Sequence, residues 1–178
     1  MIRVLKRHAW AVAAVAAVLV LLALALRSPD RQKGLVAYEA AGTMRHIATD
    51  DVAMLQLAIG PRQQRFERRA GAWRRAETGA PVDAATASAI EAGLRLLHNT
   101  PPERSFESAT PAFGLDPPAL QVHVQAADGR AFEAGFGAAN PMGLARYARI
   151  RSGDSDTLQL LPAYVAEAWE QVAAKAAP

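Results

Sequence analysis

Leu120-Gln121-Val122-His123-Val124-Gln125-Ala126, followed by Ala127-Asp128-Gly129-Arg130 and then Ala131-Phe132-Glu133-Ala134-Gly135-Phe136, is the stretch that decides the fold. Leu120, Val122, Val124 and Ala126 alternate with Gln121, His123 and Gln125, the two-residue period of a strand with one buried face. Asp128-Gly129 supplies the left-handed backbone of a tight hairpin, and Phe132, Ala134 and Phe136 resume the alternation beyond it.

The same reading extends in both directions. Downstream, Leu144 to Arg151 and Thr157 to Leu161 form a second strand pair around Ser152-Gly153-Asp154. Upstream, Ala53, Leu55, Leu57 and Ile59 alternate with Met54, Gln56 and Ala58 in a strand that ends at Gly60-Pro61. Gln63 to Arg69 and Ala72 to Ala76 read as two further strands joined at Ala70-Gly71, with Phe66 and Trp73 as their large apolar residues. Two segments carry the helical period instead. Asp83 is a suitable N-cap for a helix that buries Ile90, Leu94 and Leu97, pairs Glu91 with Arg95 on its outer side, and stops before Pro101-Pro102. Pro162 opens the last helix, with Val165, Trp169 and Val172 at the same spacing. The expected class is α+β: an antiparallel sheet of hairpins over residues 51–178, with one inserted and one C-terminal helix on a single face.

Residues 9–26, AWAVAAVAAVLVLLALAL, carry no charge over 18 positions. As a helix they span roughly 27 Å, close to a thin hydrocarbon core. Trp10 stands at one end and Arg27 closes the other, so Ala9 to Leu26 reads as an uncleaved anchor in a lipid bilayer, and residues 9–27 as a single transmembrane helix. The competing readings are a cleaved signal peptide, for which Ala23-Leu24-Ala25 fits a small-x-small site, and a buried soluble helix. Arg3, Lys6 and Arg7 before the stretch balance Arg27, Arg31 and Lys33 after it. The short tail, residues 1–8, is expected in the cytoplasm, because long C-terminal domains translocate largely regardless of charge. Residues 28–50 mix Pro29, Gly34 and Gly42 with scattered charges and read as a tether. The expected location is a bacterial inner membrane, with the C-terminal domain in the periplasm.

Composition excludes much chemistry. The sequence-derived pI is near 9.7, yet four of the 20 Lys/Arg lie in the first 27 residues with no Asp/Glu beside them. From Ser28 onward, 16 basic side chains face all 17 acidic ones, a net of −1, which argues against nucleic acid as a partner. With no cysteine, disulfides, thiolate metal sites and Cys nucleophiles are absent from the chain.

Asp50-Asp51 with His46 is the best acid–base or metal candidate by residue type. Neighbours on a strand face opposite sides, however, so the pair reads as a solvated strand start. His98 is placed to meet the last carbonyls of its helix, and His123 shares a polar face with Gln121 and Gln125. Gly135-Phe136-Gly137-Ala138-Ala139-Asn140 lacks the third glycine and the following helix of a phosphate loop. No catalytic, metal or cofactor site is expected. One charged cluster stands out: Arg62, Arg65, Arg68, Arg69, Arg74 and Arg75 crowd one hairpin against Glu67 and Glu77. The plain reading is a solvated hairpin face; the functional one makes Arg65, Arg68, Arg69, Arg74 and Arg75 a candidate interaction face, toward anionic headgroups or an acidic partner patch.

Three stretches combine into a resemblance. They are the hairpin Phe66-Glu67-Arg68-Arg69-Ala70-Gly71-Ala72-Trp73, the turn Phe113-Gly114-Leu115-Asp116-Pro117-Pro118 before the Leu120 strand, and Gly137 followed by Arg146-Tyr147-Ala148-Arg149 and Leu158 to Leu161. Together they resemble an uncharacterised family of the domain-of-unknown-function type. Its members carry one N-terminal span and an extracytoplasmic domain, and often accompany gliding-type ABC transporter auxiliary proteins in gene clusters. The resemblance covers roughly residues 51–173 and implies an accessory role beside a transport or envelope complex, with a membrane or envelope protein as partner. It transfers no catalytic residue, and many relatives are longer, with a further copy of the unit. Physically, Trp73, Phe113, Gly114, Leu115, Pro117, Gly137 and Tyr147 need only a structural role: a buried ring, a permissive backbone, an extended approach to a strand. The function expected is that of a non-enzymatic, anchored interaction module. The rival is an anchored hydrolase or sugar- or lipid-binding domain using Asp50, Asp51 and the histidines.

Overall fold

The computed structural model describes residue 18 and residues 42–176. The anchor, the start of the tether and the cytoplasmic tail expected from the sequence thus lie outside the described residues, Val18 excepted. Among the described residues, no helix is long and apolar enough to cross a membrane.

Eight strands form one antiparallel sheet: β1 (Val52–Ile59), β2 (Arg62–Arg69), β3 (Ala72–Arg75), β4 (Arg104–Phe106), β5 (Leu120–Ala126), β6 (Ala131–Ala139), β7 (Ala145–Ser152) and β8 (Ser155–Pro162). Their spatial order is β3-β2-β1-β5-β6-β7-β8-β4. Helix α1 (Ala84–Asn99) is inserted between β3 and β4, and α2 (Ala163–Lys175) ends the domain. The α+β class with one inserted and one C-terminal helix is therefore observed.

The order explains the two long connections. β3 lies on one edge and β4 on the other, so the α1 connection traverses the sheet from edge to edge. From β4 the chain returns to β5 in the middle of the sheet, and residues 107–119 pass β8, β7 and β6 on the way. One face of the sheet is apolar. Leu55, Leu57, Phe66, Val122, Val124, Phe132, Ala134, Phe136, Ala148 and Ile150 are buried there in one core with Ile90, Leu94 and Leu97 of α1 and Val165, Trp169 and Val172 of α2. Burial of each large side chain in such a core contributes about 1.5–3 kcal/mol.

Local chemistry places α1. Asp83 Oδ1 accepts from the Thr86 amide at 2.9 Å and Oδ2 from the Thr86 hydroxyl at 2.6 Å. These bonds, the hydroxyl one foremost, hold the Asp83 carboxyl below its ordinary value. The two helices meet where α1 has no side chain. A Cβ on Gly93 would stand 2.9 Å from Cζ2 of Trp169.

Several features differ from the sequence reading. The domain begins by Gly42 rather than at residue 51: Met44 and Ile47 are buried in the core, and the Gly42 and Met44 amides donate to the carbonyls of His98 and Leu97. These residues have no helical or strand period because they dock as an irregular segment on the carbonyl end of α1. His98 correspondingly faces the carbonyls of Met44 and Ile47, at 3.3 and 3.1 Å, and not the last carbonyls of its own helix. Strand β4 was not expected. Its three residues are too few to show alternation, and it exists because β8 offers an edge to pair with.

Candidate interaction face

The hairpin β2–β3 turns through Ala70 (φ 50°) and Gly71 (φ 77°), the paired left-handed residues of a two-residue turn. Register then sorts its arginines onto two faces. Phe66 lies opposite Leu55 of β1, so Arg62, Gln64, Phe66 and Arg68 share the helix side, while Gln63, Arg65, Glu67 and Arg69 share the other. On β3, Trp73 and Arg75 fall on the helix side and Arg74 on the other, by their pairing with Arg68, Phe66 and Glu67. The five arginines expected to form one interaction face are thus divided between opposite surfaces.

Arg68 is a structural side chain. Its side chain is 13 % exposed, and its guanidinium sits 4.6 Å from the ring centroid of Trp73, donates to the Thr49 carbonyl at 3.1 Å and pairs with Glu91. Glu91 also accepts from the Trp73 indole at 2.7 Å. The expected outward Glu91–Arg95 pair is replaced by this knot, because a buried indole N–H and a nearly buried cation both require an acceptor. Trp73 and Arg68 thereby fasten the edge hairpin to α1.

The remaining arginines are placed differently. Arg69 is exposed and donates to Glu67 at 2.6 Å, and Arg74 donates to the Gly79 carbonyl at 3.0 Å. Among the described residues no carboxylate pairs with Arg62, Arg65 or Arg75. These three, with Gln63, Gln64 and Glu77, line a cavity of about 540 Å³ at the sheet edge. The cavity exists because β3 is short. It covers β2 only from Phe66 to Arg69, and one further bond runs from the Ala76 amide to the Arg65 carbonyl. Arg62, counted in the arginine cluster but not in the expected interaction face, and Gln63, which sequence reasoning missed, both contribute to this site. The signal was present in Thr78-Gly79-Ala80-Pro81, which ends β3 early.

The residues of the three sequence motifs partly converge. Phe113 stacks on Tyr147 with centroids 4.0 Å apart and planes 12° apart, and Phe106 of β4 adds its ring 5.1 Å from Phe113. A Cβ at Gly137 would stand 2.1 Å from the Phe113 carbonyl oxygen, so only glycine lets the crossing segment lie on β6. Gly114 adopts a left-handed conformation (φ 60°), Leu115 is buried, and Asp116–Pro117 is cis. These residues strap the crossover to the sheet, whereas Trp73 belongs to the separate knot with Glu91.

The residues of the hydrolase rival are not brought together. His98 lies on the helix side and is occupied by backbone carbonyls, while His123 lies on the opposite sheet face with Gln56, Gln121 and Glu133 around a shallow cavity of about 230 Å³. Asp50 and Asp51 sit in a 3-10 turn, both exposed, with Asp51 3.5 Å from Arg130, whose guanidinium also donates to the His46 carbonyl. No group of three or more His, Asp and Glu residues among the described residues is placed to hold a metal ion. Gly135-Phe136-Gly137-Ala138-Ala139 lies within strand β6 and forms no loop. Comparison of the chain with protein-family models, with curated proteins and with solved structures gives no match.

Proposed function

We propose that this chain is a non-enzymatic, membrane-anchored accessory module, held in a bacterial inner membrane by Ala9 to Leu26, whose periplasmic α+β domain docks other envelope proteins. ABC-type transporter subunits are the expected partners. The uncharged N-terminal stretch supports the anchor, since 18 apolar residues match a bilayer core. One observation carries the docking function: the exposed, arginine-lined edge of β2 beside the short β3. Charge on such an edge turns away neutral and basic strands and leaves it open to an acidic one. The anchor and the resemblance to an uncharacterised family that often accompanies transporter auxiliary proteins in gene clusters support the same role.

The test is a mild in-cell crosslink of tagged full-length protein, detergent extraction and mass spectrometry. Recovery with membrane-embedded transporter subunits is expected. Recovery of the protein alone, uncleaved and monomeric, contradicts the proposal.

A further inference from the structure

Strand parity defines what the free edge of β2 presents. The Arg65 carbonyl points away from β1, because it accepts from Ala76, and backbone groups in an antiparallel strand reverse direction with each residue. The Gln63 amide and carbonyl therefore point outward as well. The described residues provide no ladder partner for Gln63 on that side. The Gln63 N–H and C=O thus form a short open hydrogen-bonding edge on β2, between the end of β3 and the 540 Å³ cavity.

The unpaired charge around this edge is basic. Arg62 and Arg75 lie on the helix side of the edge and Arg65 on the other; Glu77 shares their cavity, while the neighbouring Glu170 and Glu67 are engaged by Arg146 and Arg69 at 2.8 and 2.6 Å. A strand laid along Arg62–Arg65 would place alternate side chains over Arg62 and Arg75 and the intervening ones beside Arg65. Acidic residues satisfy both sides. Backbone pairing would supply affinity and the guanidinium groups selectivity, the division of labour in strand addition.

We infer that the proposed partner docks by adding an extended, Asp/Glu-bearing segment as a ninth strand against the Gln63 edge of β2. The inference rests on the accessory-module reading and specifies how its partner is held. An anionic lipid surface, the other chemistry that arginines attract, lacks the directional N–H and C=O groups that this edge can pair.

The test uses detergent-solubilised full-length protein and a short fluorescent peptide repeating Glu-Glu-Val-Val, which as a strand carries Glu on both faces, with its Lys–Val counterpart and a copy interrupted by proline. Saturable binding of the Glu–Val peptide alone is expected. Two variants probe separate halves of the inference. Gln63→Pro removes an outward N–H while leaving the β1 ladder intact, as edge strands tolerate. The double variant Arg62→Glu/Arg65→Glu reverses charge without touching the backbone. Each is expected to weaken binding roughly tenfold or more with an unchanged melting temperature. Equal binding of all three peptides, no binding, or association only with phosphatidylglycerol vesicles overturns the inference.

A photocrosslinker placed in cells at Gln63 or at His123 separates the two levels of the account. Crosslinks to a partner from His123 but not Gln63 overturn the strand-addition inference and leave the module reading standing. An absence of crosslinks from both positions removes both.

Discussion

The indole of Trp169 lies on Gly93, close enough that a single methyl on the glycine would meet Cζ2 at 2.9 Å. Trp169 is fully buried, so the ring has no space to retreat into. This contact sets how closely α1 and α2 approach over the sheet. It also reverses the ordinary effect of a helical glycine, whose replacement by alanine stabilises a helix by about 1 kcal/mol where the space is free.

Gly93→Ala is accordingly expected to lower stability by about 1–3 kcal/mol, the usual cost of overpacking a filled core. Urea unfolding followed by Trp fluorescence measures it. A midpoint that rises instead would mean that the helices separate at no cost.

Glu91 supplies the acceptor for both the Trp73 indole and Arg68. Glu91→Ala leaves the buried Trp73 N–H without an acceptor and the Arg68 charge with backbone carbonyls alone, and is expected to cost about 2–4 kcal/mol. Glu91→Gln retains an acceptor and should cost less than half as much. An equal loss for the two variants would show that charge alone matters at this knot.

Gly137 permits the crossing segment to lie on the sheet, since the Phe113 carbonyl occupies the space a Cβ would need. Gly137→Ala is expected to displace the strap and expose residues 107–118 to limited proteolysis, with a stability loss of roughly 3 kcal/mol or more. Tyr147→Leu, which removes the stack with Phe113 and the tilted contact with Phe106, should cost about 0.5–1.5 kcal/mol per ring pair beyond the area lost, and should leave the segment protected.

Two carboxyls make the domain sensitive to acid. Asp83 is held below its ordinary value by the Thr86 hydroxyl and amide, and Asp128 by the backbone amide and guanidinium of Arg130. A lowered carboxyl pKa adds stability that is complete above the ordinary carboxylate range and is lost as pH falls through the lowered values. The melting temperature should therefore drop as pH is taken down through and below that range. Asp83→Asn, which keeps a capping oxygen without a titrating proton, should flatten part of the drop. An identical pH profile for Asp83→Asn would remove the cap from this account.

Much of the sheet was legible because its period is local. Val122 and Val124, the Asp128-Gly129 turn and the alternation through Phe136 need no distant partner to be recognised, and the structure pairs Val122 with Ala134 and Val124 with Phe132. Asp83 and the Ile90-Leu94-Leu97 spacing marked α1 for the same reason. What escaped is non-local. Met44 and Ile47 are core residues only because the end of α1 offers carbonyls and space to an aperiodic segment. Strand β4 depends on β8, and Glu91 turns inward because Trp73 and Arg68 arrive from another strand. The arginine cluster was visible as composition, but its division between two faces follows from the β1–β2 register, and the open edge from the early end of β3.

The most direct measurement of the central claim is quantitative in-cell crosslinking of tagged full-length protein. Wild type is compared with the triple variant Arg62→Ser/Arg65→Ser/Arg75→Ser, each read by mass spectrometry at matched expression. The account predicts an envelope partner with the wild type and about tenfold less of it with the variant, in line with the loss of three charge-assisted contacts. The same partner at undiminished yield from the variant would contradict it.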